Sequence, residues 1–263
     1  MSKVLKTKSY LKFTEFCNAC KKYSYIGICD GSPGVGKTFS ARCYTRWDMI
    51  EQIVPPYHLA NPLPVEELDG CDSVFYTAPV TSSPARLERE IYESCSNLNW
   101  LINDVAPPKK SKKGVWDIQS NFTKLILIDE ADRLTKSCLE QVRDIYDKTK
   151  IGFVLIGMPG FEKKLLRYAQ LYSRVGFVYN FRPIENNEME DILKHKWAEL
   201  GLNYNNDTDR EAFSQIVIIT RGNFRLLQRL FTQIEFIMQV NNYYVLDKDV
   251  VETARENLMI GKV

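Results

Sequence analysis

The chain has 263 residues, of which 44% are hydrophobic and 26% are charged, so it is long enough to bury one large core and a smaller appended subdomain. Its 35 Lys and Arg residues nearly balance 33 Asp and Glu residues, for a net charge of +2, which excludes a strongly basic or acidic protein. No apolar run approaches the ~18 residues of a membrane span, and the N-terminus lacks the apolar stretch of a signal peptide. The composition therefore predicts a cytoplasmic protein, in which any nucleic-acid-binding surface must be local.

The seven cysteines are scattered along the chain, which is typical of a reducing compartment and not of a disulfide scaffold. Cys17 and Cys20 have the spacing of two zinc ligands. However, no second pair follows, and both histidines, His58 and His195, are distant in sequence. The alternative, which this pattern favours, is that the two thiols pack on one side of an N-terminal helix at residues 9–22.

Strands and helices alternate through the first two thirds of the sequence. An apolar run predicts a strand at residues 25–30 and a helix after it at 38–50, whereas residues 51–72 contain four prolines and predict an irregular connection. Four further strands are predicted at residues 73–78, 123–128, 153–156 and 177–181. The remaining helices are predicted to begin at Pro84 and to cover residues 137–147 and 160–170. This alternation predicts an α/β fold with a parallel five-stranded sheet sandwiched by helices.

The pattern changes after Pro183. Apolar residues then recur at helical spacing in two groups, at residues 189–197 and 224–234, and no further strand is predicted. We therefore predict an α/β domain with an N-terminal helix at residues 1–183, followed by a small helical lid at residues 184–263.

A glycine-rich segment follows the first predicted strand. It reads GSPGVGKT, which matches the GxxxxGK[ST] pattern of phosphate-binding loops, and the flanking strand and helix are the context that this pattern requires. In such a loop, backbone N–H groups turn inward to phosphate oxygens, the lysine reaches the terminal phosphates, and the last hydroxyl binds Mg²⁺. The sequence therefore predicts a site for ATP and Mg²⁺ formed by Ser32, Pro33, Gly34, Val35, Gly36, Lys37 and Thr38.

Two adjacent acids end the third predicted strand. The segment LILIDE places Asp129 and Glu130 at the carboxyl end of a buried strand, where ligands bind in open α/β sheets. We predict that Asp129 holds Mg²⁺ through water, together with Thr38, and that Glu130 orients and deprotonates the attacking water. The alternative is that both acids only complement the dipole of a helix N-terminus. The phosphate loop upstream favours the catalytic interpretation.

Three arginines are candidates for contact with the nucleotide. A phosphate loop alone stabilises transition-state charge poorly, and a guanidinium from a neighbouring subunit adds several orders of magnitude in rate. Arg174, just before the last predicted strand, is the first candidate for this role, and Arg167 is the second. Either is otherwise an ordinary surface or interface arginine. Arg225, in the segment GNFR of the lid, is positioned to reach the nucleotide and sense the γ-phosphate, with helix capping as the alternative.

The motifs GSPGVGKT, LILIDE, FVLIGMPG, SR before the fifth strand and GNFR in the lid follow one another in the order found in AAA+ ATPases, and about residues 20–260 resemble that superfamily. Within it, the segment LIGMPGFEKKLLRYAQLYSRVGF resembles the transposition regulators of the MuB, TniB and TnsC kind. This resemblance implies an ATP-dependent homo-oligomer, a ring or a filament, with ATP between protomers. It also implies binding to the backbone of double-stranded DNA, a transposase or target-selecting protein as partner, and a bacterial, phage or mobile-element origin.

The resemblance also assigns roles to individual residues. Lys37, Thr38, Asp129 and Glu130 match the two Walker motifs, Arg174 matches the arginine finger, and Arg225 matches sensor 2. One position departs from the pattern: where many AAA+ proteins have a polar sensor-1 residue at the end of the fourth strand, this sequence has Gly157 and Met158. We therefore expect slow hydrolysis.

The predicted DNA contact is a lysine-rich loop at residues 106–121. Its four lysines are placed to neutralise a few phosphates in a sequence-independent and salt-sensitive way. They are Lys109, Lys110, Lys112 and Lys113. A merely solvated loop is the alternative. Two other functional classes stay open, a nucleotide-dependent signalling switch with a protein partner and a replication initiator or loader.

Overall fold

The computed structural model describes residues 7–53, 68–105, 122–200 and 207–258. The four lysines predicted to contact DNA, residues 109–113, lie outside these ranges. The chain forms two compact units. The core unit comprises residues 12–31 and 37–180, and the lid unit comprises residues 1–11, 32–36 and 181–263. The predicted boundary at residue 183 stays a prediction.

The core unit contains a five-stranded parallel sheet in the order β2-β3-β4-β1-β5. Its strands are β1 (Ile26–Asp30), β2 (Ser73–Thr77), β3 (Leu125–Asp129), β4 (Gly152–Gly157) and β5 (Val175–Asn180). Every residue of the three central strands is buried, as expected for parallel strands that are covered on both faces. The predicted parallel α/β sheet is therefore confirmed.

Seven α-helices precede the lid helices in the described part of the chain. They are α1 (Lys8–Tyr23), α2 (Lys37–Thr45), α3 (Trp47–Ile53), α4 (Pro84–Trp100), α5 (Lys136–Thr149), α6 (Phe161–Leu165) and α7 (Ala169–Tyr172). A π-helical segment, Leu101–Val105, continues α4. Local chemistry sets the start of α4, because the Ser83 side chain accepts a hydrogen bond from the Arg86 N–H and proline occupies the first turn.

The predicted N-terminal helix is confirmed as α1. Phe13, Phe16, Cys17 and Cys20 form its buried side. The Phe16 ring lies 5.7 Å from the ring of Tyr179 on β5. The packing alternative for the two cysteines is therefore confirmed. In the described ranges, no group of three or more His, Cys, Asp and Glu side chains is arranged to bind a metal ion.

Two predicted helices are each divided in the structure. The helix predicted at 38–50 ends at Thr45 because Arg46 has a positive φ of 53°, and α3 begins at the next residue. The helix predicted at 160–170 is divided into α6 and α7. Leu165 and Leu171 are both fully buried, whereas one continuous helix would place them about 120° apart around its axis. The break allows both side chains to reach the core.

The lid unit contains α8 (Asn186–Glu199), α9 (Asp207–Thr220), α10 (Phe224–Asn241) and α11 (Lys248–Asn257). Its core centres on Trp197, which is fully buried. The Trp197 ring meets Phe231 edge to face at 5.8 Å, and its N–H donates to Asp209 at 3.1 Å. The apolar residues predicted at helical spacing supply this core. None of the helices in the described ranges is long and apolar enough to cross a membrane.

Candidate nucleotide-binding site

The phosphate loop lies between β1 and α2, in the predicted order of strand, loop and helix. Asp30 ends the strand and Lys37 begins the helix. Gly34 and Gly36 have φ values of +81° and +105°, in a region that side chains with a Cβ rarely enter. Gly36, which the pattern requires, and Gly34, which it does not, therefore supply the sharp turns that direct the backbone of the loop.

Lys37 lies within the core unit and is only 9% exposed. Its Nζ donates to the Gly31 carbonyl oxygen at 2.5 Å. Burial lowers the pKa of the ammonium group, and the carboxylates of Asp129, Glu130 and Asp132 oppose that shift. The structure therefore brings the phosphate-loop lysine and the acids that follow β3 into one electrostatic environment.

Asp129 ends β3 and is 3% exposed. One carboxylate oxygen accepts the Glu130 N–H at 2.9 Å, and the other receives no side-chain hydrogen bond from the described part of the chain. Thr38 is exposed in the first turn of α2. A hydroxyl and a carboxylate are oxygen ligands of the kind that Mg²⁺ prefers, so these two side chains fit the magnesium ion that the predicted site requires.

Glu130 has a left-handed backbone with φ of 54°, which costs a non-glycine residue on the order of 1 kcal/mol. Its side chain is 37% exposed and lies 3.6 Å from the Arg133 guanidinium. Arg133 in turn donates to the Ala78 carbonyl at 3.2 Å. Backbone strain of this kind is concentrated at functional sites, and no feature of the sequence predicted it.

The end of β4 has no polar side chain at the place of sensor 1. A Cβ on Gly157 would lie 2.7 Å from the ring of Phe161, so neither asparagine nor threonine fits there. The N–H of the next residue, Met158, donates to Asp132 at 3.2 Å. The backbone of β4 is thus tied to the segment that follows the two acids after β3.

Asp30 directly precedes the phosphate loop, and no sequence motif pointed to it. This carboxylate is 8% exposed and accepts the Asn180 side-chain amide at 2.9 Å and the Gly160 N–H at 3.4 Å. It therefore ties the end of β1, directly before the phosphate loop, to the end of β5 and to the turn after β4. Asn180 and Asp30 are register partners on adjacent strands, a relationship that only the sheet order creates.

The two candidate finger arginines differ in their surroundings. Arg174 precedes β5 and so lies at the amino edge of the parallel sheet, opposite the edge where β3 ends in Asp129. Its guanidinium is paired with Asp147 at 3.0 Å, so it is remote from the Walker acids of its own chain. Arg167 is exposed and has no side-chain partner among the described residues.

Arg225 belongs to the lid unit, at the start of α10. Its backbone N–H donates to the Gly34 carbonyl at 3.3 Å, which links the lid helix to the phosphate loop. Its guanidinium is exposed and pairs with no acid in the described ranges. Asn223, the residue directly before α10, also contacts the phosphate loop. The predicted site did not include this residue.

This architecture, a parallel sheet with a phosphate loop after β1 and two acids after β3, defines a P-loop nucleotide-binding fold. The chain belongs to the AAA domain family, whose model matches residues 20–165, more than half of its length. The predicted P-loop AAA+ fold is therefore confirmed.

Three similar proteins illustrate how far the likeness extends. A "potential ATP-binding protein" of Staphylococcus aureus is 42% identical over 98% of this chain and 97% of its own length. The Mu-like prophage FluMu DNA transposition protein B of Haemophilus influenzae is 28% identical over 58% of this chain and 54% of its own length. The structure of the Thermotoga maritima RuvB branch migration motor superposes with a TM-score of 0.60 at 18% identity, over 95% of this chain and 68% of RuvB. This last likeness concerns the fold alone.

Proposed function

We propose that this chain is an ATP-hydrolysing regulator of DNA transposition, which forms an oligomer on double-stranded DNA when it binds ATP and then recruits or activates a transposase. The observation that supports ATP hydrolysis most directly is the shared environment of Lys37, Asp129 and Glu130 within the core unit. A buried ammonium group, a buried carboxylate and a half-exposed carboxylate are the three groups that this reaction needs from one subunit.

The proposed chemistry assigns one task to each group. Lys37 exchanges its bond to Gly31 for bonds to the terminal phosphates and neutralises their charge. Asp129 and Thr38 hold Mg²⁺, which when bound offsets phosphate charge. Glu130, which is more exposed than Asp129, accepts a proton from the water that attacks the γ-phosphate. Arg174 of a neighbouring protomer completes the site, since it lies far from the acids of its own chain.

A relative's name and a cluster of lysines support DNA binding and a role in transposition. The H. influenzae relative is named for DNA transposition, and the lysines at residues 109–113 supply local positive charge on a chain whose net charge is only +2. Neutralising phosphates with such lysines gives binding that weakens steeply with salt. We propose these four lysines as the DNA contact and Arg225 as the group that senses the γ-phosphate.

The proposal is tested by Glu130→Gln, which keeps the shape of the side chain and removes the proton acceptor. ATP-dependent complexes with DNA are expected to last about tenfold longer or more, because the hydrolysis that dissolves them is blocked. Lys37→Ala is the matched control and is expected to form no such complexes. The measurement is the dissociation of labelled duplex DNA after dilution. An absence of ATP-dependent DNA binding by the Gln variant would overturn the transposition model.

The DNA-retention assay separates the signalling switch from the proposed function, and an assay of transposase stimulation separates the replication initiator or loader. A signalling switch with a protein partner would hydrolyse ATP without salt-sensitive retention of DNA. A replication initiator or loader would retain DNA but would not stimulate a transposase. Electron microscopy of the protein on DNA with a slowly hydrolysed ATP analogue then distinguishes a DNA-bound ring or filament from scattered monomers.

A further inference from the structure

The side chain of Asn223 joins the phosphate loop to the first turn of a lid helix. Its Nδ2 donates to the Pro33 carbonyl at 2.9 Å. Its Oδ1 accepts the N–H groups of Arg225 at 3.0 Å and Leu226 at 3.1 Å. All four residues belong to the lid unit. One amide therefore caps α10 with its oxygen and binds the loop with its nitrogen.

A second backbone bond and close packing reinforce this link. The Arg225 N–H, besides its bond to the cap, donates to the Gly34 carbonyl at 3.3 Å. The space above Gly34 is occupied by Asn223, since a Cβ there would lie 2.3 Å from the Asn223 Oδ1 atom. Beyond it, a Cβ on Gly36 would touch the ring of Phe224 at 3.6 Å. The tip of the loop thus rests on the start of α10.

The two bonded carbonyls fix the direction of two loop N–H groups. In a trans peptide the C=O and N–H bonds point in opposite directions. The Pro33 carbonyl shares its peptide plane with the Gly34 N–H, and the Gly34 carbonyl shares its plane with the Val35 N–H. Because both carbonyls face the lid helix, both N–H groups face away from it. Such N–H groups are the ones that phosphate loops offer to phosphate oxygens.

We propose that Asn223 is a positioning residue for nucleotide binding, which holds two loop peptides in the orientation that accepts phosphate and transmits phosphate binding to α10. This inference rests on the proposed binding of ATP and deepens it. A phosphate that draws on the Gly34 and Val35 N–H groups polarises the same peptide units and strengthens the bonds of their carbonyls to the lid. Occupation of the loop is then reported by the first turn of the helix that carries Arg225.

The chain allows a test in which helix capping stays constant. Aspartate and serine cap helices about as well as asparagine does, so Asn223→Asp and Asn223→Ser retain the start of α10. Aspartate replaces the donor with an anionic oxygen beside the Pro33 carbonyl, and serine is too short to reach it. Without this bond to Pro33 the loop peptides must be ordered when MgATP binds. That cost, about the value of one net hydrogen bond, is expected to raise the Kd for MgATP about five- to tenfold in both variants, with the larger rise for aspartate.

Three measurements decide the outcome. Calorimetry gives the Kd for MgATP, thermal unfolding without nucleotide monitors the cap, and amide hydrogen exchange at residues 224–230 reports the lid response. In the wild type, MgATP is expected to slow that exchange. In the variants at saturating MgATP, the slowing is expected to be lost while the unfolding temperature changes little.

The inference is wrong if both variants bind MgATP with the wild-type Kd, or if α10 exchange still slows fully in them. The inference is also overturned if the whole loss of affinity is accounted for by a lower stability of the variants without nucleotide. In that case the residue would act only as a helix cap. If the wild type itself binds no MgATP, the proposed function fails first. That result is read from the wild-type titration alone and so is distinct from failure of the inference.

Discussion

Arg174 is held by Asp147 through two parallel hydrogen bonds, from Nη2 to Oδ2 at 3.0 Å and from Nε to Oδ1 at 3.2 Å. A planar guanidinium is well suited to this two-pronged geometry. The same group also donates to the Gln170 carbonyl, so its orientation before the start of β5 is fixed. Arg174, which we propose to act on a neighbouring protomer, is therefore already oriented by bonds within its own chain.

Substitution of Arg174 tests that role. In Arg174→Ala we expect the ATP hydrolysis rate of the assembled protein to fall about a hundredfold or more, because transition-state charge loses its partner. The Kd for MgATP should change little, since the arginine contributes to chemistry and not to ground-state binding. Steady-state hydrolysis and nucleotide titration measure the two quantities.

Arg167→Ala is the matched control, because Arg167 is the alternative finger and lies on the same connection before β5. Its hydrolysis rate is expected to stay at the wild-type value. The reverse pattern, with the large loss in Arg167→Ala, would transfer the finger role to that residue.

The pair formed by Arg174 and Asp147 also predicts a pH dependence of stability. Arg174, together with Lys150 and Arg143, lowers the pKa of the Asp147 carboxyl. These ion pairs therefore stabilise the fold at pH values above the ordinary carboxyl range and lose that effect as the carboxyl is protonated in acid. The unfolding temperature of the wild type is expected to exceed that of Asp147→Asn at neutral pH. The difference should vanish in acid, and a difference that persists there would contradict the assignment.

Asp30 provides a test of the network between the strand ends. Asp30→Ala removes the acceptor for the Asn180 amide and the Gly160 N–H. Both donors lie on exposed residues, so each lost hydrogen bond is expected to cost only its net value of about 0.5–1.5 kcal/mol. We expect a loss of that size in urea unfolding. Because the residues are in contact, the double variant with Asn180→Ala should lose less than the sum of the single losses. Strict additivity would show that the contact contributes nothing.

The close contact between Gly157 and Phe161 predicts that a polar side chain introduced at the end of β4 destabilises the fold. Gly157→Asn is expected to destabilise the fold by about 1–3 kcal/mol, since the new side chain overlaps the Phe161 ring and overpacking carries such penalties. Phe161→Ala opens space at this position. Gly157→Asn should therefore destabilise the Phe161→Ala variant by less than it destabilises the wild type. Stability of the single Asn variant at the wild-type level would contradict the proposed clash.

Sequence patterns predicted the sheet and the elements of the site that are continuous in the chain. The phosphate loop and the paired acids were recognisable because each is a short run of residues whose chemistry depends on local order. The bonds of Asp30 to Asn180 and of Asn223 to Pro33 were not, because they join residues 150 and 190 positions apart. Such contacts follow from sheet order and from the packing of the lid unit, neither of which periodicity encodes.

Helix interruptions escaped prediction for a related reason. Apolar spacing over residues 160–170 is compatible with one helix, and only the shape of the core requires Leu165 and Leu171 to approach it from two separate turns. The left-handed backbone of Glu130 was likewise hidden, since glutamate has no preference for that conformation. These features belong to tertiary packing and to the demands of the site.

The left-handed conformation of Glu130 sets thermostability against the proposed catalytic role of this residue. Glycine or asparagine adopts that backbone more readily, so a selection for heat resistance alone would favour their substitution there and discard the carboxylate. An engineering programme that ranks variants by melting temperature should therefore hold residue 130 fixed. A substitution that raises the stability at residue 130 would remove the proposed proton acceptor at the same time.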